Sequence, residues 1–355
     1  MNKPHFSRLS LWLSLLLAQA GFVSGCSTEG ATGSPAVASN EGSSSEGSSS
    51  ATTESQDLFA DMSAAALARS GGKTGPVPWT LLGARRFNGV QSVYWQSTAT
   101  ATNGQIYIQL VDNTGAQISV VTVNGVAALN PATWAVVSIG EFTNDNRADI
   151  LYRNVSSGQF LLWSLNSSGR VVFTQTAIGT TLAPSNDLKF VGAGDFNNDN
   201  VDDIAWRRAS TGEIVVWRLA YSTLTSPRLQ VAQTRNQVGN VTIASAPPWQ
   251  FLDTMDRNGD GIEDILWYNT STRRFGSWQL NNNFGVAQIV SSFGAPYPST
   301  NPQDSGWVFV GAGDYNGDAL DDFGFVDAAR GLFGTWVFDG GIGFAQVGAV
   351  TPPEI

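Results

Sequence analysis

From Trp79 onward, short apolar runs alternate with polar, glycine-rich turns, and the alternation repeats. Each unit opens on a short apolar run, as at Trp307–Val310, that leads into an acidic loop. A second short run follows, as at Ile204–Trp206, then a polar turn such as Ser210-Thr211-Gly212. A third run alternates in polarity and ends in Trp, as over Glu213–Trp217, and a less regular fourth, such as Arg228–Gln233, completes the unit. Runs this short, bounded by Gly, Asn, Asp and Ser, predict strands. Copies begin at Trp79, Trp134, Leu188, Trp249 and Trp307. A period of roughly 55 residues predicts a solenoid or a propeller.

The expected fold class is therefore all-β. A single four-stranded antiparallel sheet cannot bury both faces alone, whereas sheets stacked face to face around an axis can. Five copies predict a β-propeller of about five four-stranded blades, with repeats near 79–133, 134–187, 188–248, 249–306 and 307–355. The Trp that ends the third strand recurs as Trp163, Trp217, Trp278 and Trp336, with Gln109 in the first copy, and is expected to pack between blades. How the ring closes is left open. Ser70–Pro78 is a candidate extra strand, but Pro76 and Pro78 suit it only to an edge.

Upstream of the repeats the pattern changes. Lys3 and Arg8 flank an apolar run, Leu9–Val23, that is short for a membrane span and reads as an export signal. It ends in Val23-Ser24-Gly25-Cys26, which resembles the lipobox of bacterial lipoproteins. That resemblance implies removal of residues 1–25, lipidation of Cys26 and, with Ser27 next, sorting to the outer membrane of a Gram-negative cell. Residues 26–78 are rich in Ser, Gly, Ala and Thr and predict a flexible tether, with a candidate short helix over Gln56–Arg69.

Composition narrows the functions available. Charged residues make up only 14%, while Gly (38) and Trp (12) are plentiful, as befits a turn-rich, aromatic-packed β protein. A net charge of −10 argues against nucleic acid, which needs a basic stripe. Cys26 is the single cysteine, so no intrachain disulfide can form. His5, the single histidine, lies in the segment to be removed. Triads that use His and His-ligated metals are thereby excluded.

The acidic loops carry the clearest chemistry. The third copy offers Asp195, Asn197, Asp199 and Asp203, with the Val201 carbonyl; the fourth offers Asp256, Asn258, Asp260 and Asp264, with Ile262. The fifth offers Asp314, Asn316, Asp318 and Asp322, with Leu320. Oxygen donors at loop positions one, three, five, seven and nine suit Ca²⁺, a hard cation. Position twelve is aromatic rather than a bidentate Glu, so a helix-swapping switch is excluded. Three calcium sites are expected. The second copy keeps Glu141, Thr143, Asp145 and Asp149, which leaves a fourth site open. The first copy is two residues shorter and has Arg86 at position one; no metal is expected there, and Arg85 or Arg86 should offset neighbouring charge.

The pattern Phe-Val-Gly-Ala-Gly-Asp-x-Asn-x-Asp-x-x-x-Asp resembles FG-GAP/VCBS-type repeats, the calcium-binding repeats of integrin α-subunit propellers and some fungal and bacterial lectins. The resemblance implies calcium loops between the first and second strands of each blade, all on one face. It also implies ligands at the opposite face or in clefts between blades, and binding more often than catalysis. It supplies no ligand.

Three functions follow. A lipid-anchored surface protein would bind carbohydrate or protein. Trp95, Tyr152, Trp206 and Trp267 end the second strands, and Arg153, Arg207 and Tyr268 follow three of them. A ring beside a polar fork suits a sugar, which places the expected binding surface on the rim opposite the acidic loops. An envelope assembly scaffold is the second reading. A glycosidase built from Asp253, Glu263, Asp304 or Asp327 is the third.

Overall fold

The structure, a computed structural model, describes residues 78–112, 116–182, 186–236, 238, 248–293, 306–327, 329–338 and 344–353. The signal segment, Cys26, the tether with its candidate helix, Ser70–Val77 and Asp304 lie outside these residues.

Among the described residues, twenty strands form five antiparallel sheets, each a four-strand meander in sequence order. Blade 1 holds β1 (Trp79–Ala84), β2 (Ser92–Ser97), β3 (Ile106–Val111) and β4 (Gln117–Thr122), plus a short 3₁₀ turn at Thr100–Thr102. Blade 2 holds β5 (Trp134–Gly140), β6 (Asp149–Asn154), β7 (Phe160–Leu165) and β8 (Val171–Gln175). Blade 3 holds β9 (Leu188–Gly194), β10 (Asp203–Arg208), β11 (Ile214–Tyr221) and β12 (Leu229–Arg235). Blade 4 holds β13 (Trp249–Met255), β14 (Asp264–Asn269), β15 (Arg274–Leu280) and β16 (Val286–Phe293). Blade 5 holds β17 (Trp307–Gly313), β18 (Asp322–Asp327), β19 (Leu332–Phe338) and β20 (Phe344–Val350).

The first strands form the inner ring: β1 packs on β5, β5 on β9, β9 on β13, β13 on β17, and β17 back on β1. The chain is a closed five-bladed β-propeller. Closure comes from blade 5 packing on blade 1, and every blade keeps four strands contiguous in sequence.

One apolar cluster fills each of the five blade interfaces. Two repeated devices build them. Every inner strand bulges by one residue at the same place, opposite the middle of its partner. The extra residue (Leu82, Val137, Val191, Leu252 or Val310) is thereby aimed at the following blade, where it joins the interface cluster. On the other face, the second-strand ring meets the third-strand Trp of its own blade. Centroids are 4.7 Å apart for Tyr152–Trp163, Trp206–Trp217 and Phe325–Trp336, and 4.9 Å for Trp267–Trp278. In blade 1, Trp95 Nε1 instead donates to Gln109 Oε1 at 2.7 Å, while its ring meets Phe333 of blade 5 edge-on at 4.8 Å. The recurrent Trp residues do pack between blades.

The hairpin between second and third strands needs one left-handed residue. Gly158 supplies it with φ +77°, and a Cβ there would lie 1.9 Å from the Leu182 carbonyl oxygen. Gly158→Ala is expected to destabilise the fold by about 2 kcal/mol or more, read from urea unfolding; an unchanged midpoint would show that this hairpin is not fixed by Leu182.

Candidate functional site

The acidic loops join first and second strands and lie on one face: 195–203 between β9 and β10, 256–264 between β13 and β14, and 314–322 between β17 and β18. Their backbone explains their code. Positions four and six take positive φ in every nine-residue loop: Asn144 and Asn146, Asn198 and Asn200, Gly259 and Gly261, Gly317 and Ala319. Asn and Gly tolerate that conformation, and Ala319 is the strained exception.

The position-one carboxylate caps the turn. Asp195 Oδ1 accepts the Asn197 and Asp199 N–H groups at 3.2 and 3.1 Å, and Oδ2 accepts Asn200 N–H at 2.8 Å. Asp256 receives Asn258, Gly259 and Gly261 in the same way, and Asp314 receives Gly317 and Ala319. Position five caps position seven: Asp199 takes Val201 N–H, Asp260 takes Ile262, and Asp318 takes Leu320. Position nine ties the loop to the third strand, with Asp203, Asp264 and Asp322 each accepting the N–H of Leu219, Leu280 or Phe338 at 2.8 Å. The Asn197 amide donates to Asp203, and those of Asn258 and Asn316 donate to Asp260 and Asp318.

With these self-bonds made, no group of three His, Cys, Asp or Glu side chains among the described residues is gathered in metal-binding geometry. The donor set nevertheless fits a hard cation. Burial pushes the Asp203, Asp264 and Asp322 carboxyls well above the usual range, and the acids at positions one and five of the same loop add repulsion. A cation among those oxygens would reverse both effects. The Val201, Ile262 and Leu320 carbonyls belong to the same turns.

The second loop folds like the complete ones. Glu141 Oε1 accepts Thr143 and Asp145 N–H, and Asp149 Oδ2 accepts Phe142 N–H and the Thr143 hydroxyl. Glu141 Oε2 and Asp149 Oδ1 stay buried without a hydrogen bond. Asp145 is held by Arg147 at 2.9 Å. In the first copy a tight turn at Asn88 and Gly89 replaces the loop, closed by a Phe87–Val90 bridge, and the Asn88 amide donates to Ser167 of blade 2. Arg86 donates to the Gly317 carbonyl of blade 5 at 2.6 Å, and Arg85 lies 3.8 Å from Asp202 of blade 3. Arg85 thus offsets Asp202, and the Arg86 charge works against the burial that raises the Asp314 carboxyl.

Position eight is a site the repeat reading missed. Its N–H donates to the position-one carbonyl of the preceding blade: Asp202 to Glu141 at 2.7 Å, Glu263 to Asp195 at 3.0 Å, Asp321 to Asp256 at 3.1 Å. At the closure the Gln91 side chain donates to the Asp314 carbonyl instead. These three acids are buried beneath the loops. Burial first, then the Glu263 charge, raises Asp321 well above the usual carboxylate range. Their recurrence at one repeat position was the available signal.

The opposite rim differs from expectation. Trp95, Tyr152 and Trp206 are 0% exposed and Trp267 is 2% exposed, because both faces of every blade are covered. They are interior packing, not exposed stacking platforms, and that expectation is corrected. Trp267 borders an apolar hollow of about 240 Å³ with Trp249, Gly276 and Trp278. Arg153 is half-buried, lies 5.4 Å from the Trp206 ring and donates to the Leu182 carbonyl at 2.9 Å. Arg207 and Tyr268 are half-buried. Of the candidate glycosidase acids, Asp253 accepts Thr254 and Ala312 N–H, Asp327 pairs with Arg330 at 2.6 Å, and Glu263 sits among the buried acids.

A polar opening lies on the loop face, between blades 2 and 3. It is a cleft of about 710 Å³, with Thr143, Asp145 and Ser164 from blade 2. Phe173 of β8 and Tyr221, Ser222 and Arg228 around the β11–β12 hairpin complete it. Gln175 fixes the walls relative to each other: its amide donates to the Leu229 carbonyl at 2.7 Å and accepts the Arg228 and Leu229 N–H groups at 2.9 and 3.0 Å. Val172 and Leu224 stand exposed at its lips.

No family model matches the chain, and no curated protein matches it. Among solved structures, the chain is similar to an Agrocybe aegerita lectin described by its specific recognition of non-reducing terminal N-acetylglucosamine. Identity is 11%, the match covers 79% of this chain and 82% of that one, and the TM-score is 0.43.

The interior assignment is testable. Trp206→Ala is expected to cost about 3–5 kcal/mol in denaturant unfolding; a change under ~0.5 kcal/mol would restore it to the surface.

Proposed function

We propose that this chain is a calcium-stabilised, lipid-anchored binding protein of the cell envelope whose ligand is a carbohydrate. The blade 2–3 cleft carries the reading. Its volume falls in the range of small-ligand pockets, and its lining mixes hydroxyls with aromatic faces, the combination that binds sugar hydroxyls and stacks on sugar rings. Asp145 is the single carboxylate in that lining, and it is paired with Arg147. Glycosidic hydrolysis uses two carboxyls flanking one bond, so binding without catalysis is the better reading of the cleft.

The proposed cation belongs to the scaffold. Asp195, Asn197, Asp199, Asp203 and their counterparts in the fourth and fifth copies would hold Ca²⁺, with Glu141, Thr143, Asp145 and Asp149 as a fourth, weaker set. Bound there, calcium supplies positive charge to buried, mutually repelling carboxylates. Lipidation at Cys26 and the Ser/Gly-rich tether would hold the propeller at the outer membrane while letting it stand clear of the surface.

A glycan array probed with the mature chain is expected to show retention of a discrete set of oligosaccharides, and Tyr221→Ala is expected to weaken it at least about tenfold. A folded protein that retains no glycan, or whose retention ignores Tyr221, contradicts the reading.

A further inference from the structure

We infer that the blade 2–3 cleft selects a carboxylated saccharide, with the Arg228 guanidinium as the group that reads the carboxylate. The inference rests on the carbohydrate reading of this cleft and adds the ligand's charge.

The lining holds two charged side chains, Asp145 and Arg228. Asp145 is neutralised by Arg147 at 2.9 Å. Arg228 has no carboxylate within ion-pair distance among the described residues. Arg228 is therefore the charged group of this lining that has no ion-pair partner among the described residues, in a chain of net charge −10. An anionic ligand gains little from the field of the whole protein, so its attraction must come from this local group.

Arg228 is also held ready. Its guanidinium carbon lies 4.7 Å from the centroid of the Phe173 ring, a cation–π contact that fixes the plane of the fork. Its backbone N–H is held by Gln175 Oε1 at 2.9 Å. Less freedom remains to be lost when a ligand arrives. A planar fork fixed in this way matches a carboxylate with two parallel N–H···O bonds.

The rest of the lining favours a saccharide over an acidic peptide. Ser164 and Ser222 offer hydroxyls and Tyr221 offers a ring with a polar tip, a mixture that suits the hydroxyls and faces of a pyranose. An extended peptide would instead seek backbone partners along a strand edge.

Titration calorimetry of the mature chain at one fixed calcium concentration tests this with four probes: tetragalacturonate, its methyl ester, maltotetraose and hexaglutamate. Tetragalacturonate is expected to bind, with the ester and maltotetraose at least about tenfold weaker, the worth of a charge-assisted pair. Arg228→Gln should bring tetragalacturonate down to the level of the ester without moving the melting midpoint. The ester comparison uses the unaltered protein, so a poorly folded variant does not blunt the test. Equal binding of acid and ester, or stronger binding of maltotetraose, overturns the charge inference and leaves the carbohydrate reading standing. Binding of hexaglutamate without any saccharide overturns both, and binding of none of the four overturns the charge inference while the glycan array decides the carbohydrate reading.

Discussion

A blade of four strands has two apolar faces, and only neighbouring blades can keep both out of water. Everything else in this propeller follows from meeting that demand five times around a ring. The bulge in each inner strand sends one aliphatic side chain forward into the next interface, while the second- and third-strand rings fill the interface behind. Burying one such aliphatic or aromatic side chain is worth roughly 1.5–3 kcal/mol, so the five bulge residues and four ring pairs together outweigh any single polar contact. The fifth interface has no paired third-strand Trp on the blade 1 side. It relies on Trp95 against Phe333, the Gln109 bond to the indole, and Gln91 and Arg86 reaching into the last loop.

The acidic loops add a polar link between blades: at three interfaces the position-one carbonyl of one blade accepts the position-eight N–H of the next, and at the closure Gln91 takes that part. The same turns gather buried carboxylates, which is costly unless they are protonated or matched by a cation. The loops thus join two roles: they link the blades and they concentrate charge. Since calcium is proposed for those carboxylates, loop chemistry and blade packing would rise and fall together.

Much of this was legible because it repeats. Strand order, blade number, loop positions and the Trp in four of the five third strands all follow from five aligned copies. The left-handed requirement at positions four and six is visible as Asn or Gly between acids. What does not repeat was not legible. Phe173, Tyr221 and Arg228 form a cleft only because β8 of one blade meets the β11–β12 hairpin of the next, and no other copy has that set. Ring closure likewise depends on Gln91 and Phe333, which are 242 residues apart in sequence. Trp206 and Arg207 misled for a different reason. In a sheet covered on both faces an apolar residue beside a polar one does not mark a boundary with water, so the ring is interior and the arginine only half-covered.

Scanning calorimetry of the mature chain across a calcium titration decides whether the loops are cation-held. If they are, the midpoint climbs steadily with calcium and falls in chelator, by an amount equivalent to about 4 kcal/mol per site at a thousandfold excess over Kd. Magnesium, which demands a smaller octahedral shell, should do far less. A midpoint identical in chelator and in calcium would mean that the self-bonded loops are the functional state and that no cation holds this propeller together.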